Sequence, residues 1–171
     1  MMIFESENLY VCPTEMADVD SVVEVYNSNT LFLENHMNTQ QVTFEWVTEE
    51  LESMGKAGFC SCKAVDKSSR KIVGVIDFKI DQESYVSLLM VHKEYENMGF
   101  GKQIYQAFED YAKSRESKRI RLDVVTGYSD KVLNFWVGNG FEKFEDIKLN
   151  WTGVTLFAVT LKKDIRFNPM P

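Results

Sequence analysis

The sequence predicts a single α/β domain built on a mixed sheet, and three observations predict it. Segments of two-residue and of helical apolar period alternate in the order β-α-α-β-β-β-α-β-α-β-β. Residues 85–112 join an apolar, β-branched run to an amphipathic pattern through a short polar turn carrying Gly99 and Gly101. With 171 residues the chain is one domain in size, long enough to bury roughly 70% of its unfolded surface. Residues 1–165 are read as that domain and 166–171 as a C-terminal tail.

The elements follow in order. Asn8–Cys12 reads as a short strand, and Pro13-Thr14 punctuates the entry to a helix whose one face carries Val19, Val22, Val23 and Tyr26. Asn27–Gln41 is polar and rich in Asn, interrupted by Leu31-Phe32-Leu33, and receives no regular element. A second helix spans about Thr43–Met54, with Val47, Leu51 and Met54 on one side and Gly55 as its stop. Strands at Phe59–Val65 and Lys71–Ile80 flank a hairpin-like turn at Asp66–Arg70. In the latter strand Ile72, Gly74, Ile76, Phe78 and Ile80 share one face, and Asp77 and Lys79 take the other.

After the strand that ends at Val91, Phe100, Ile104, Ala107, Phe108 and Tyr111 recur at helical spacing, so a helix starts near Met98. Its first N–H groups have no intrahelical partner and carry the positive end of the helix dipole. Glycines at that point let an anion approach the main chain, so the unit is an anion cradle. A nucleoside-triphosphate loop is excluded, because one residue separates Gly99 from Gly101 and Gln103 follows Lys102. A dinucleotide fingerprint is excluded by Ile104, where a third small residue belongs. Arg119–Val125 then alternates as a strand buried on one side. Ser129 or Asp130 caps a helix bearing Val132, Leu133, Trp136 and Val137. Phe141–Trp151 and Val154–Lys163 close the chain as a hairpin around Thr152-Gly153, before a loosely held tail, Phe167–Pro171.

Composition narrows the function classes. The chain is 44% hydrophobic and 13% aromatic with mixed charge, the profile of a soluble globular protein. A net charge of −7 argues against a nucleic-acid partner, which needs clustered Lys and Arg, and is compatible with a cationic amine. No apolar run approaches the roughly 20 residues that span a bilayer, and the acidic N-terminus, with Glu5 and Glu7, is no signal peptide. Neither nucleic acid nor membrane is therefore an expected partner. Three cysteines, with Cys60 and Cys62 two apart on a strand and Cys12 unmatched, read as small apolar fillers in a reducing compartment, the cytoplasm. Two histidines and no Cys-x-x-Cys leave no metal site to assemble.

Leu89-Met90-Val91 followed by Tyr95-Glu96-Asn97-Met98-Gly99-Phe100-Gly101-Lys102 resembles motif A of the GCN5-related N-acetyltransferases. Further on, Phe135-Trp136-Val137-Gly138-Asn139-Gly140-Phe141 resembles that family's closing signature, aromatic-aromatic-x-x-x-Gly-Phe. Two motifs in the right order and at the right separation are far more specific than either alone. The resemblance implies the acyl-CoA N-acyltransferase fold, a central mixed and mostly antiparallel sheet of about seven strands flanked by about four helices. It implies an enzyme that transfers acetyl from acetyl-CoA to a primary amine of a small molecule or protein, by direct attack in a ternary complex. No Gly-x-Ser-x-Gly nucleophile setting is present to suggest a covalent relay. A non-catalytic acyl-CoA sensor or interaction module is the alternative. Homodimers are common in the family, which leaves a homodimer open as a partner.

The resemblance carries roles onto positions. The main chain of Leu89, Met90 and Val91 holds the thioester and pantetheine arm, and the amides of Asn97, Met98, Gly99, Phe100, Gly101 and Lys102 hold the pyrophosphate. Ser129 stands where an Asn often contacts pantetheine, and Trp136 where the family commonly has its acidic Tyr; an indole N–H donates no useful proton but can pack on the cofactor. Glu96 occupies a position that is usually Arg or Gln. Tyr128 is a substitute acid. For the base, Asp123 matches an acidic residue some members use, and Glu83, just before the bulged strand, competes with it. The acceptor side would be lined by Leu31, Phe32, Glu34, His36, Trp46 and Trp151.

Overall fold

The computed structural model describes residues 1–151 and 153–166, the side chain of Trp151 excepted. The tail Phe167–Pro171, the turn residue Thr152 and the Trp151 side chain lie outside the described residues. Eight strands form one sheet in the order β1-β2-β3-β4-β5-β6-β8-β7. They are β1 (Phe4–Glu5), β2 (Leu9–Pro13), β3 (Cys60–Asp66), β4 (Ile72–Lys79), β5 (Glu83–Val91), β6 (Arg119–Val125), β7 (Glu142–Trp151) and β8 (Val154–Asp164). Every neighbouring pair is antiparallel except β5 and β6, which run parallel. Five helices join them: α1 (Val19–Ser28), α2 (Thr30–Met37), α3 (Phe44–Lys56), α4 (Phe100–Ser114) and α5 (Lys131–Gly138). Helices α1 to α3 pack on one face of the sheet, where Val19, Val22, Val25, Leu33 and Val47 meet Val75 and Met90. Helices α4 and α5 cover the other, where Ile104, Phe108 and Trp136 meet Ile76, Phe78 and Leu122. Buried Ile and Phe side chains of this kind each contribute about 1.5–3 kcal/mol.

Two elements go beyond the expected seven strands and four helices. Strand β1 is two residues long and pairs Phe4 with Val11 and Glu5 with Tyr10, too short to show alternation. Helix α2 fills part of the Asn-rich stretch and turns only Leu33 fully inward, so no stripe marks it. Asn38 ends it in the left-handed region (φ 52°), a conformation Asn tolerates better than other side chains. The Asn29 amide joins α1 and α2 to the sheet by donating to the carbonyls of Val25 (2.9 Å) and Val91 (3.1 Å).

Strand β4 departs from strict alternation. Ala64 pairs with Gly74 and Val65 with Ile72, which leaves Val73 as an extra residue. This bulge sends Val73 into the α4 core and Ile72 toward α1, whereas the sequence pattern put Ile72 on the face of Ile76 and Phe78. Gly74 is required where β4 crosses β5, because a β-carbon there would lie 2.7 Å from the Met90 carbonyl oxygen. A second bulge sits on β5: Asp77 pairs with Leu88 and Phe78 with Val86, so Ser87 is unmatched. Cys62 is in the core as expected, while Cys60 is exposed at the start of β3.

Beyond Tyr85 and Arg121, β5 and β6 share no further ladder pairs. Their joined end is pinned by the buried hydroxyls of Ser84 and Ser117, 2.7 Å apart. From there the sheet opens between two neighbouring strands, and the site lies in that opening.

Asp77, on the face of β4 covered by α1 and α3, is 8% exposed. Burial, reinforced by Glu50, raises its carboxyl from 3.8 to about 7. The folded protein thus keeps a proton that the unfolded chain releases near its ordinary carboxyl pKa. The associated stability is complete below about pH 4 and is lost as pH rises to about 7. Urea melts of Asp77→Asn are expected to show its stability relative to the parent growing by on the order of 2–4 kcal/mol between about pH 4 and pH 8. A difference independent of pH would refute the raised carboxyl.

Candidate active site

On the α4–α5 side of the opening lies a cavity of about 610 Å³, lined by Leu89, Met90 and Val91, by Asn97, Gly99, Phe100, Gly101 and Lys102, and by Tyr128, Ser129, Lys131, Phe135 and Trp136. The loop reaches this position through local geometry. His92 begins a single 3-10 turn (Lys93–Tyr95), its Nδ1 accepting from the Glu94 N–H at 3.1 Å. Asn97 (φ 64°) and Gly99 (φ 81°) then turn the chain through left-handed conformations into α4. The first-turn amides of α4 are left without intrahelical acceptors. Of the predicted cradle residues, only Met98 is outside the lining; its side chain is 59% exposed.

Lys93, Lys102 and Lys131 all line this cavity, with Glu96 among them. Glu96 is ion-paired to Lys131 at 2.6 Å and to Lys93 at 3.4 Å. The hydrogen bond from Lys131, then the charge of both lysines, holds its carboxyl below the usual range. Ser129 accepts the Lys131 N–H at 3.2 Å and so turns the chain into α5. Trp136 is buried against Tyr105 and Phe141, with ring centroids 5.2 and 5.3 Å away, so packing accounts for most of its surface.

A second cavity of about 330 Å³ opens on the α1–α3 side. Its walls include Phe32 and His36 of α2, Glu50 and Met54 of α3, Tyr85, Ser87 and Leu89 of β5, Asp123 of β6, Tyr128, and Leu149 and Asn150 of β7. No Lys or Arg is among its lining residues. Phe32, Leu89, Tyr128, Val132 and Trp136 belong to both cavities, so the two meet beside the opened strand. His36 stacks on Phe32 (4.1 Å) and meets Tyr128 edge-on (5.6 Å). Burial lowers its pKa, partly offset by the hydrogen bond from Nδ1 to the Phe32 carbonyl. Its ring is thus held neutral near pH 7.

The three predicted catalytic side chains are dispersed. Tyr128 stands at the junction of the cavities, its phenol pKa raised by burial. Asp123 is at the wall of the smaller cavity with a side chain only 4% exposed. Its oxygens accept from the Tyr85 hydroxyl (2.8 Å), the Thr160 hydroxyl (2.6 Å) and, more distantly, Arg121 (3.4 Å). Burial and then the Asp123 charge raise the Tyr85 phenol. Glu83 sits at the joined end of β5 and β6, paired with Lys162 (3.0 Å) and Arg119 (3.7 Å), and lines neither cavity.

Of the predicted acceptor-side residues, Phe32 and His36 line the smaller cavity and Leu31 the larger one. Glu34 is exposed and lines neither cavity, and Trp46 packs on Tyr26 at 5.5 Å. Sequence reasoning missed Tyr85, Lys131 and Glu50. Glu50 carried a usable signal: it follows Val47 by three residues and precedes Met54 by four, a carboxylate set into an apolar stripe. Among the described residues no three His, Cys, Asp or Glu side chains converge as metal ligands.

The acetyltransferase (GNAT) family model matches residues 22–141. An acetyltransferase from Thermus thermophilus is similar in structure, at a TM-score of 0.72 and 20% identity over 91% of this chain and 97% of its own. A ribosomal-protein α-N-acetyltransferase solved with coenzyme A gives a TM-score of 0.76 at 13% identity, covering 96% of this chain and 98% of its own. A chimeric spermidine N-acetyltransferase from Vibrio cholerae gives 0.75 at 13% identity, covering 93% and 96%. No curated protein sequence matches the chain.

Replacing Glu96 by Gln removes the anion that engages Lys131 and Lys93 and leaves both free for a phosphate. Isothermal titration of Glu96→Gln with acetyl-CoA is expected to give binding several-fold tighter than the parent. Equal or weaker binding would mean that Glu96 assists the loop.

Proposed function

The chain belongs to the acetyltransferase (GNAT) family, and on that premise we propose that it transfers acetyl from acetyl-CoA to a primary amine by direct attack in a ternary complex. One observation carries the reading. Two cavities share the wall at Leu89 and Tyr128; the larger is lined by three lysines, and the smaller is lined by Glu50 and Asp123 with no Lys or Arg among its lining residues. The first suits an anionic donor and the second a cationic acceptor. Their volumes, about 610 and 330 Å³, fit a long donor arm and a small amine or peptide terminus. The three free thiols fit a reducing, cytoplasmic setting. No described helix is long and apolar enough to cross a membrane.

Bound acetyl-CoA would supply the activated acetyl group and a thiolate leaving group. The residues for holding it are the main chain of Leu89–Val91, which has no ladder partner on β6, the first-turn amides of α4, and Lys93, Lys102 and Lys131. Tyr128, kept protonated by burial, is suited to donate its proton to the departing sulfur. Asp123, already accepting from Tyr85 and Thr160, fixes the Tyr85 ring and adds negative potential for a cation.

Acetyl-CoA at a hundredfold excess over its dissociation constant adds about 2.7 kcal/mol, so a rise in melting temperature of about 5–10 °C is expected, absent with ATP or NAD. Thiol release should then appear across a panel of alkylamines, diamines and peptide N-termini. Binding without release from any amine would turn the reading into an acyl-CoA sensor. Tyr128→Phe is expected to lower kcat about 10–100-fold while leaving acetyl-CoA affinity within about twofold; an unchanged kcat would remove Tyr128 from the mechanism.

A further inference from the structure

Glu50 projects from the inner face of α3, in line with Val47, Leu51 and Met54. A carboxylate on the buried stripe of an amphipathic helix is costly unless it is partnered or used. Among the described residues Glu50 has neither a hydrogen bond nor an ion pair, and burial alone raises its carboxyl. The other two acidic candidates differ. Asp123 is occupied by Tyr85, Thr160 and Arg121, and Glu83 is paired with two cations outside the cavity.

We infer that Glu50 is the catalytic base: its carboxylate takes a proton from the acceptor ammonium within the smaller cavity. The inference rests on the acetyltransfer reading above. The protons balance as follows. An acceptor entering as R–NH3⁺ gives one proton to Glu50, which later passes it to solvent. The freed amine forms the N–C bond to the acetyl carbon as the C–S bond breaks. The second N–H proton balances the one that Tyr128 delivers to the sulfur, and Tyr128 is reprotonated. The products are the N-acetyl amine and the thiol.

The surroundings suit that task. His36 of α2, Tyr85 of β5, Asp123 of β6 and Tyr128 share the cavity with Glu50. His36 and both tyrosines are held neutral by burial, and Arg121 is engaged with Asp123. Behind Glu50, Tyr26 of α1 and Asp77 of β4 are buried and feel its charge, and Cys62 of β3 lies beside Asp77. Asp77 is neutral below about pH 7, which lets Glu50 carry the one charge of the pair. A desolvated carboxylate whose pKa is raised by burial is a stronger base than one saturated by donors.

The test uses the intact protein with n-butylamine as a generic primary amine, compared with Glu50→Gln and Glu50→Asp. In the parent, kcat/KM should fall on the acid side with the ionisation of Glu50. The Glu50→Gln variant should lose that limb and about 10²–10³-fold of kcat/KM at pH 7. It should recover toward the parent above about pH 10, where the amine is already free, and retain acetyl-CoA affinity. Glu50→Asp should keep part of the rate. A readout independent of turnover is the carbon-13 titration of the Glu50 carboxyl in the ligand-free protein, expected above the usual glutamate range. Glu50→Gln with the parent's rate and acid limb, or Glu50 titrating as an ordinary glutamate, would overturn the assignment. A parent that binds acetyl-CoA but acetylates no amine would instead overturn the acetyltransfer reading.

Discussion

The parting of β5 from β6 is the constraint on which the rest of the molecule depends. A buried strand edge must find partners for its N–H and C=O groups, and here the ladder stops after Tyr85 and Arg121. The bulge at Ser87 bends β5 away just beyond that point. Leu88 and Leu89 then face opposite cores, and the open edge between them becomes the meeting place of two cavities. Pinning the closed end through Ser84 and Ser117, and through Glu83 with Lys162 and Arg119, keeps the opening at one end only. Gly74 lets β4 run under Met90 without a side chain to push β5 further.

Electrostatics follows from the same opening. The end of β5 and the α4 and α5 N-termini bring lysines together on one side, and α3 and β6 bring carboxylates together on the other. The acidic groups are treated differently by their surroundings. Asp123 has donors, Glu83 and Glu96 have cations, Asp77 is neutralised by burial, and Glu50, at a cavity wall, has no partner among the described residues. Burial without a partner is unfavourable for stability alone, which is why Glu50 stands apart as a functional group.

Much of the fold was legible because its elements carry strong local signals. The stripe of α4, the alternation of β6 and the punctuated hairpin of β3 and β4 all appear within two residues of their expected bounds. Helix α2 and strand β1 were not, since one turns a single side chain inward and the other is two residues long. The two faces of β4 were misread at Ile72 because a bulge at Val73 shifts the alternation, and a bulge is set by what the neighbouring strand does. The loop residues that line the larger cavity stand where the glycine spacing put the turn, while Met98, in the middle of that run, is exposed.

Local chemistry therefore settled most of the order of elements, the glycine turn into α4 and the family motifs, because glycine conformations, helix starts and apolar periods act over a few residues. The choice among carboxylates belonged to the folded state. Asp123, Glu83, Glu96 and Glu50 are equivalent acids in the chain. Partners distant in sequence distinguish them: Thr160 and Tyr85 for Asp123, Lys162 for Glu83, Lys131 for Glu96, and none for Glu50 among the described residues. Desolvation and pairing are properties of packed neighbours, and these arise only when α3, β5 and β6 close around the opened sheet.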